Sequence, residues 1–345
     1  LRLVGDAVLV SLDFGRTPIN GPPLKLSGAS DMALLMIAPW APGSEYGRMW
    51  AASIRARMPG IDLRHYPDEL GDPAEIDAAL AWLPPPGLLA SLPNLKLIHA
   101  LGMGVDSVLA DPELPAGVPI ARVVDDDLIQ RMSEYCLHAL LHYHRNADKY
   151  DRDKAAKRWD PAMAPPARER RIGVMGLGAI GGDLATKLVA LQFDVAGWSR
   201  TPKDVAGVES FHGTDGLAAF LARSEYVVCL LPLTPETEGI LDAHAFAAMP
   251  KGGGIVNAAR GGHVVDADLI AALDSGQLAF AKLDVFREEP LPAEHPFWAH
   301  PGIRITPHNA GITNPDTAAD QILENYRRAL AGEPVLNPVD PARGY

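Results

Sequence analysis

The stretch Arg171-Ile172-Gly173-Val174-Met175-Gly176-Leu177-Gly178-Ala179-Ile180-Gly181 decides the fold of this chain. Its first five residues form a mostly apolar run of strand length. From Ile180 to Gln192 the periodicity turns helical, with Leu184, Leu188 and Leu191 on one face. Between strand and helix lies the pattern GxGxxG. In such a turn the first glycine permits the reversal, the second lets backbone approach a diphosphate, and the third lets helix and strand pack closely. Amides at the helix start then present the favourable end of its dipole to the phosphates. Gly176, Gly178, Ala179, Ile180 and Gly181 are therefore read as a dinucleotide cradle.

Outward from this turn, Phe193–Trp198, Tyr226–Leu231, Gly254–Ala258, Ala279–Phe286 and Ile303–Thr306 read as further strands. Helices near Leu217–Arg223, His244–Met249 and Ala267–Asp274 alternate with them, which predicts a doubly wound parallel sheet. Upstream, Ala33–Ala38, Ala81–Leu83, Leu95–Ala100 and Val118–Val123 suggest a smaller parallel sheet, with a helix over Ser44–Met58. Asp125, Asp126 and Asp127 precede a helix from Leu128 to Arg145, where carboxylates suit the positive end of the dipole. A last helix, about Asp316–Ala331, follows the larger unit. The expected class is α/β, with two Rossmann-like or flavodoxin-like domains. Residues 1–30 lack periodicity and are expected to be an arm or extension of unassigned role.

The 345 residues carry 43 Asp and Glu against 31 Lys and Arg, a net charge of −12. That balance argues against nucleic acid or an anionic membrane as partner, since both need a broad basic surface. No run approaches the roughly 20 apolar residues of a membrane span. Cys136 and Cys229 are too few for a disulfide framework or a zinc ribbon, and no secretory leader is evident, so a cytoplasmic setting is expected. His138 and His142 stand i, i+4 but lack the glutamate of a metalloprotease motif, and no metal is expected.

An NAD enzyme usually places an acid about 20 residues beyond the glycines, on the ribose hydroxyls. Here the strand ends in Ser199-Arg200-Thr201-Pro202-Lys203, and Arg200 stands 19 residues after Gly181 with no carboxylate beside it. A guanidinium there can stack on adenine and hold the 2′-phosphate of NADP, with Lys203 adding charge. NADP(H) is thus the expected cofactor, with NAD(H) still possible.

Three later strand ends carry polar groups where open α/β sheets bind ligands. They are Asn257-Ala258-Ala259-Arg260-Gly261, Asp284-Val285-Phe286-Arg287-Glu288-Glu289-Pro290 and Thr306-Pro307-His308-Asn309-Ala310-Gly311. A cation, an acid and an imidazole together suit reduction of a 2-keto acid. Arginine can grip the carboxylate and polarise the ketone, and histidinium can protonate the oxygen as hydride reaches C2.

With these motifs, and with Leu101-Gly102-Met103-Gly104-Val105-Asp106-Ser107 and Leu231-Pro232-Leu233-Thr234-Pro235-Glu236-Thr237, the chain resembles the D-isomer-specific 2-hydroxyacid dehydrogenases over about residues 80–345. Within them it is similar to the glyoxylate/hydroxypyruvate reductase A type. The resemblance implies NADPH-preferring reduction of glyoxylate to glycolate and of hydroxypyruvate to D-glycerate, by a homodimer joined around Leu128–Tyr150. It implies that Arg260 binds and polarises substrate, Glu289 supports the acid/base, and His308 transfers the proton. Met103 and Gly104 would offer backbone N–H groups to the carboxylate, with Trp82 shaping the pocket, and Asp284 would hold the nicotinamide carboxamide. Ser199, Thr201, Leu231, Pro232, Ala258 and Gly311 would complete the cofactor's surroundings. A cofactor domain of residues 126–314 would be inserted into a substrate domain of 31–125 and 315–345. Two other readings stay open: a dehydrogenase of another D-2-hydroxy acid, such as D-lactate or a phenyl-substituted acid, and a nucleotide-sensing module of the same fold.

Overall fold

Every residue of Ala33–Ile37 (β1) is buried, as a strand covered by helices on both faces requires. It begins the part of the chain that the structure, a computed structural model, describes: residues 33–344. The expected N-terminal arm, residues 1–30, lies outside the described residues. β1 pairs in parallel with Asp62–His65 (β2) and Ile76–Ala81 (β3). With Leu97–Ala100 (β4) and Ile120–Ala121 (β5) the sheet has the order β2-β1-β3-β4-β5. That is the flavodoxin-like arrangement. Helix α1 (Glu45–Arg57) starts where the Ser44 hydroxyl accepts from the Gly47 N–H, and the short α2 (Asp106–Leu109) follows β4.

The chain then leaves through α3 (Asp126–His144), capped by the Asp125 carboxylate on the Leu128 N–H, and α4 (Ala147–Ala155). A second, seven-stranded sheet is built from β6 (Arg171–Met175), β7 (Asp194–Ser199), β8 (Val208–His212), β9 (Tyr226–Cys229), β10 (Gly253–Asn257), β11 (Leu278–Leu283) and β12 (Ile303–Ile305). Its order is β12-β11-β10-β9-β6-β7-β8, all parallel. Helices α5 (Ala179–Ala190), α6 (Gly213–Arg223), α7 (Ala243–Ala248) and α8 (Asp266–Asp274) connect its strands.

The last helix, α9 (Pro315–Ala331), returns to the first sheet and packs on α1. Buried polar contacts fix it there: the Tyr326 hydroxyl donates to Asp77 at 2.9 Å, and Asn325 Nδ2 donates to the Leu336 carbonyl and to His99 Nε2, both at 3.1 Å. The two segments that join the sheets are also tied to each other. Val124 N–H donates to Gln321 at 3.0 Å, and the Thr317 hydroxyl to Asp125 at 3.3 Å. One apolar cluster runs through Leu34, Trp50 and Tyr326 into Leu140, Leu184 and Val228, so the two sheets share a core.

Two strands were not anticipated, β2 and β8. Both are sheet edges with polar sequence, Asp-Leu-Arg-His and Val-Glu-Ser-Phe-His, and neither makes an apolar run. β3 lies upstream of the expected Ala81–Leu83. Its alanines carry little strand signal, while Leu83 is 58% exposed in a left-handed turn at φ +56°. Tyr326→Phe removes the hydroxyl from the 2%-exposed Asp77 and is expected to cost about 1–3 kcal/mol of unfolding free energy. Urea unfolding with an unchanged m-value checks this.

Candidate active site

Strand order reverses beside β6, where β7 lies on one side and β9 on the other, and such switch points open a crevice at the carboxyl ends. Gly176 turns the chain there at φ +96°. A Cβ on Gly181 would sit 1.8 Å from the Gly176 carbonyl oxygen, so only glycine lets α5 approach β6 this closely. Gly178, the cap of α5, has open space where a side chain would stand and no side-chain acceptor on the first-turn amides. The turn therefore fits a diphosphate. Arg200 and Lys203 follow β7 on the exposed rim. Glu236 across the crevice is held below the usual carboxylate range by the Thr234 hydroxyl, its own backbone N–H and then the charge of Arg200. The Ser199 hydroxyl turns back to the Thr201 carbonyl at 2.8 Å and shapes the same rim.

His308 stands beyond the end of β12 in the left-handed region, φ +48°, a conformation that costs a non-glycine residue energy and persists only when its surroundings enforce it. Asp284 enforces it. Its backbone carbonyl accepts from the His308 N–H at 2.8 Å, and its carboxylate accepts from the amides of Asn309 (3.0 Å) and Ala310 (2.9 Å) and from the Thr306 hydroxyl (2.7 Å). The carboxylate is 1% exposed, and with about four lone-pair positions on a carboxylate one is left for a further donor. The imidazole Nδ1 lies 2.6 Å from Glu289 Oε2, while Glu289 Oε1 accepts from the Phe286 N–H at 2.8 Å. Burial pushes the Glu289 carboxyl up, but the His308 hydrogen bond, the Phe286 amide and the nearby charges of His308 and Arg260 together hold it low. It stays an ionised acceptor, so Nδ1 donates to it and Nε2 is left for a substrate. Glu288 makes no such contact.

Arg260 enters from the end of β10. Its Nε donates to Oδ1 of Asp106, the first residue of α2, at 2.8 Å, and its Nη1 to the Ala259 carbonyl at 2.7 Å. Nη2 points at Gly104, where an added Cβ would lie 1.6 Å away. The backbone N–H groups of Met103 and Gly104 meet no protein acceptor among the described residues. Two open amides beside a guanidinium can hold a carboxylate. The Trp82 ring covers Gly102 and meets the His308 ring edge-on, with centroids 6.1 Å apart. Trp82 thus stands beside both His308 and the Gly102 turn, while Met103 is half-buried against the shared core.

The other expected residues lie beyond the ends of β9, β10 and β12. Leu231 and Ala258 are buried, and the Pro232 carbonyl accepts from the Thr237 hydroxyl at 2.7 Å. Gly311 turns its Cα toward α3, where a Cβ would strike Met132 Sδ at 2.5 Å. Two residues not expected at the site contact it. Asp106 holds the arginine, and the Tyr135 hydroxyl of α3 meets the Thr306 hydroxyl at 2.6 Å. Asp106 lay within a quoted motif, and its acidity opposite a substrate arginine was the available signal; Tyr135 offered none.

Residues 137–310 match the family model described as D-isomer specific 2-hydroxyacid dehydrogenase, NAD binding domain. The chain is 43% identical over 301 residues to the glyoxylate/hydroxypyruvate reductase A of Serratia proteamaculans, covering 86% of this chain and 96% of that one. Among solved structures, a D-isomer specific 2-hydroxyacid dehydrogenase from Xanthobacter autotrophicus Py2, in complex with NADPH and MES, superposes with a TM-score of 0.85 at 46% identity, over 92% of this chain and 100% of that one. The NADPH-dependent glyoxylate/hydroxypyruvate reductase from Sinorhizobium meliloti, with NADP and sulfate, gives 0.82 at 36% identity, over 91% and 100%.

Gly104→Ala is expected to displace the Arg260 guanidinium. Binding of a small dicarboxylate such as oxalate should weaken by about tenfold or more, roughly 1.4 kcal/mol. Titration calorimetry on the folded variant reads this, and an unaltered affinity would show that Nη2 does not face the ligand.

Proposed function

The chain belongs to the D-isomer specific 2-hydroxyacid dehydrogenase family, and from that premise we propose that it reduces short 2-keto acids, glyoxylate and hydroxypyruvate first, with NADPH in preference to NADH. The observation that carries the reading is the pairing of His308 Nδ1 with Glu289 at 2.6 Å, set beside Arg260 and the open amides of Met103 and Gly104. The relatives' names and the NADPH and NADP in the solved structures support the choice of substrate and cofactor.

When bound, the nicotinamide cofactor supplies a hydride to the substrate C2. The Gly176–Gly181 turn and α5 would hold its diphosphate, Arg200 with Lys203 its 2′-phosphate, and the remaining lone pair of Asp284 its carboxamide. Arg260 and the two amides grip the substrate carboxylate, and the guanidinium draws electron density from the adjacent ketone. His308 gives its Nε2 proton to the carbonyl oxygen and ends neutral; Glu289, bonded to Nδ1, keeps the ring aimed throughout. Trp82 closes the pocket wall and restricts it to small substituents.

We further place residues 126–314 as a cofactor domain inserted into a substrate domain of 31–125 and 315–345. We also propose a homodimer in the cytoplasm. α3 and α4 carry the partly exposed Leu141 and Tyr150, and the segment after them exposes Trp159 (98%) and Met163 (97%), apolar surface that suits a second copy. The two cysteines, buried and free, suit a reducing compartment.

The deciding experiment follows NADPH oxidation by absorbance with glyoxylate, hydroxypyruvate, pyruvate and phenylpyruvate. Tight NADPH binding without turnover of any of them would move the reading to a nucleotide-sensing module. His308→Ala should lower kcat by about a hundred- to ten-thousandfold with cofactor binding retained. Arg200→Asp should raise the KM for NADPH by roughly ten- to a hundredfold and that for NADH far less.

A further inference from the structure

His263 is wholly buried, lies three residues beyond Arg260, and has no part in the proposed reaction. Its Nδ1 is 3.0 Å from the Arg260 carbonyl oxygen and its Nε2 is 3.2 Å from the Pro232 carbonyl oxygen. Carbonyl oxygens only accept, so the ring can donate to both at once only when it carries both protons. The two carbonyls are fixed from their far sides as well. Asn257 Nδ2 donates to the Arg260 carbonyl at 2.9 Å, and the Thr237 hydroxyl to the Pro232 carbonyl at 2.7 Å. One ring thus ties the turn bearing the substrate arginine to the turn lining the cofactor crevice.

We infer that His263 is a positioning residue, a buried imidazolium that staples the Arg260 turn to the Pro232 turn and so fixes the substrate's carboxylate grip relative to the cofactor crevice. The inference rests on the reductase reading above. A buried cation needs compensation, and the groups around this one are specific. The Cys229 thiol at the end of β9 lies against the ring, and Arg260 shares its turn. Arg287 donates to the Gly262 and Val264 carbonyls at 3.0 Å and is itself paired with Glu238 at 3.5 Å. Burial alone would lower the affinity of His263 for its second proton. The negative charge of the Cys229 sulfur when ionised, its hydrogen bond and the two carbonyls together outweigh burial and raise its pKa from 6.5 to about 9. The sign follows: a raised folded value gives stability that is full below the unfolded value and lost as pH rises through about 9. Above that pH one of the two donors is gone and one turn is released.

Nitrogen NMR of the histidine rings in the ligand-free wild-type protein, with His263 assigned through its neighbours, reads the protonation directly. Steady-state kinetics of His263→Gln reads the consequence. Both ring nitrogens should carry protons at neutral pH, with a transition near pH 9. The variant should raise the keto-acid KM by about tenfold with kcat nearly unchanged. A singly protonated ring at neutral pH overturns the proposal, and so does a folded variant with wild-type KM. The ring measurement needs no substrate, so it stands or falls separately from the reductase reading, and it decides alone if the variant does not fold.

Discussion

One guanidinium joins the two halves of the site. Arg260 is delivered by the second sheet, yet its Nε is held by Asp106, 154 residues earlier, at the start of α2 beside the first. With Nη1 spent on the Ala259 carbonyl, the remaining face of the group is directed by elimination toward Gly104 and the open amides beside it. The ion pair is only partly buried, with 22% and 33% of the two side chains exposed, so its contribution to folding is modest. Its larger effect is geometric. A planar fork held at one edge can present only the other edge, which here faces the amides beside Gly104.

The glycine turn, Arg260, Glu289 and His308 were legible in the sequence as candidate site residues because each follows a segment read as a strand. The physical rule that ligands bind at carboxyl ends of parallel strands then gathered residues far apart in the chain. Asp106 and the Tyr135–Thr306 pair were not legible as site residues. They act through contacts spanning 154 and 171 positions, and nothing local in Tyr135's helix distinguishes it from a core aromatic. The edge strands β2 and β8 escaped for a different reason. A strand paired on one side only need not be apolar, and polar residues there discourage further pairing.

The acidic balance of the chain also takes on a local meaning. Several carboxylates near the site are already committed: Asp106 to Arg260, Glu289 to His308, and Asp284 to the loop that carries His308. None presents an unpaired charge toward the place where an anion would sit. A protein of net charge −12 can therefore keep a locally cationic pocket, because its acids there orient the cations while leaving their outer faces available.

The chain crosses between the sheets twice, once between β5 and α3 and once between β12 and α9, and the crossings are hydrogen-bonded side by side through Val124–Gln321 and Asp125–Thr317. Two strands fastened together act as one pin. A single tether leaves swivel and twist unopposed, whereas a paired tether opposes both and leaves swinging about the pin as the softest motion, here resisted by the core the two sheets share. In any swing about such a pin the arc swept by a group scales with its distance from it, so one small angle moves groups far from Val124 and Gln321 more than those beside them.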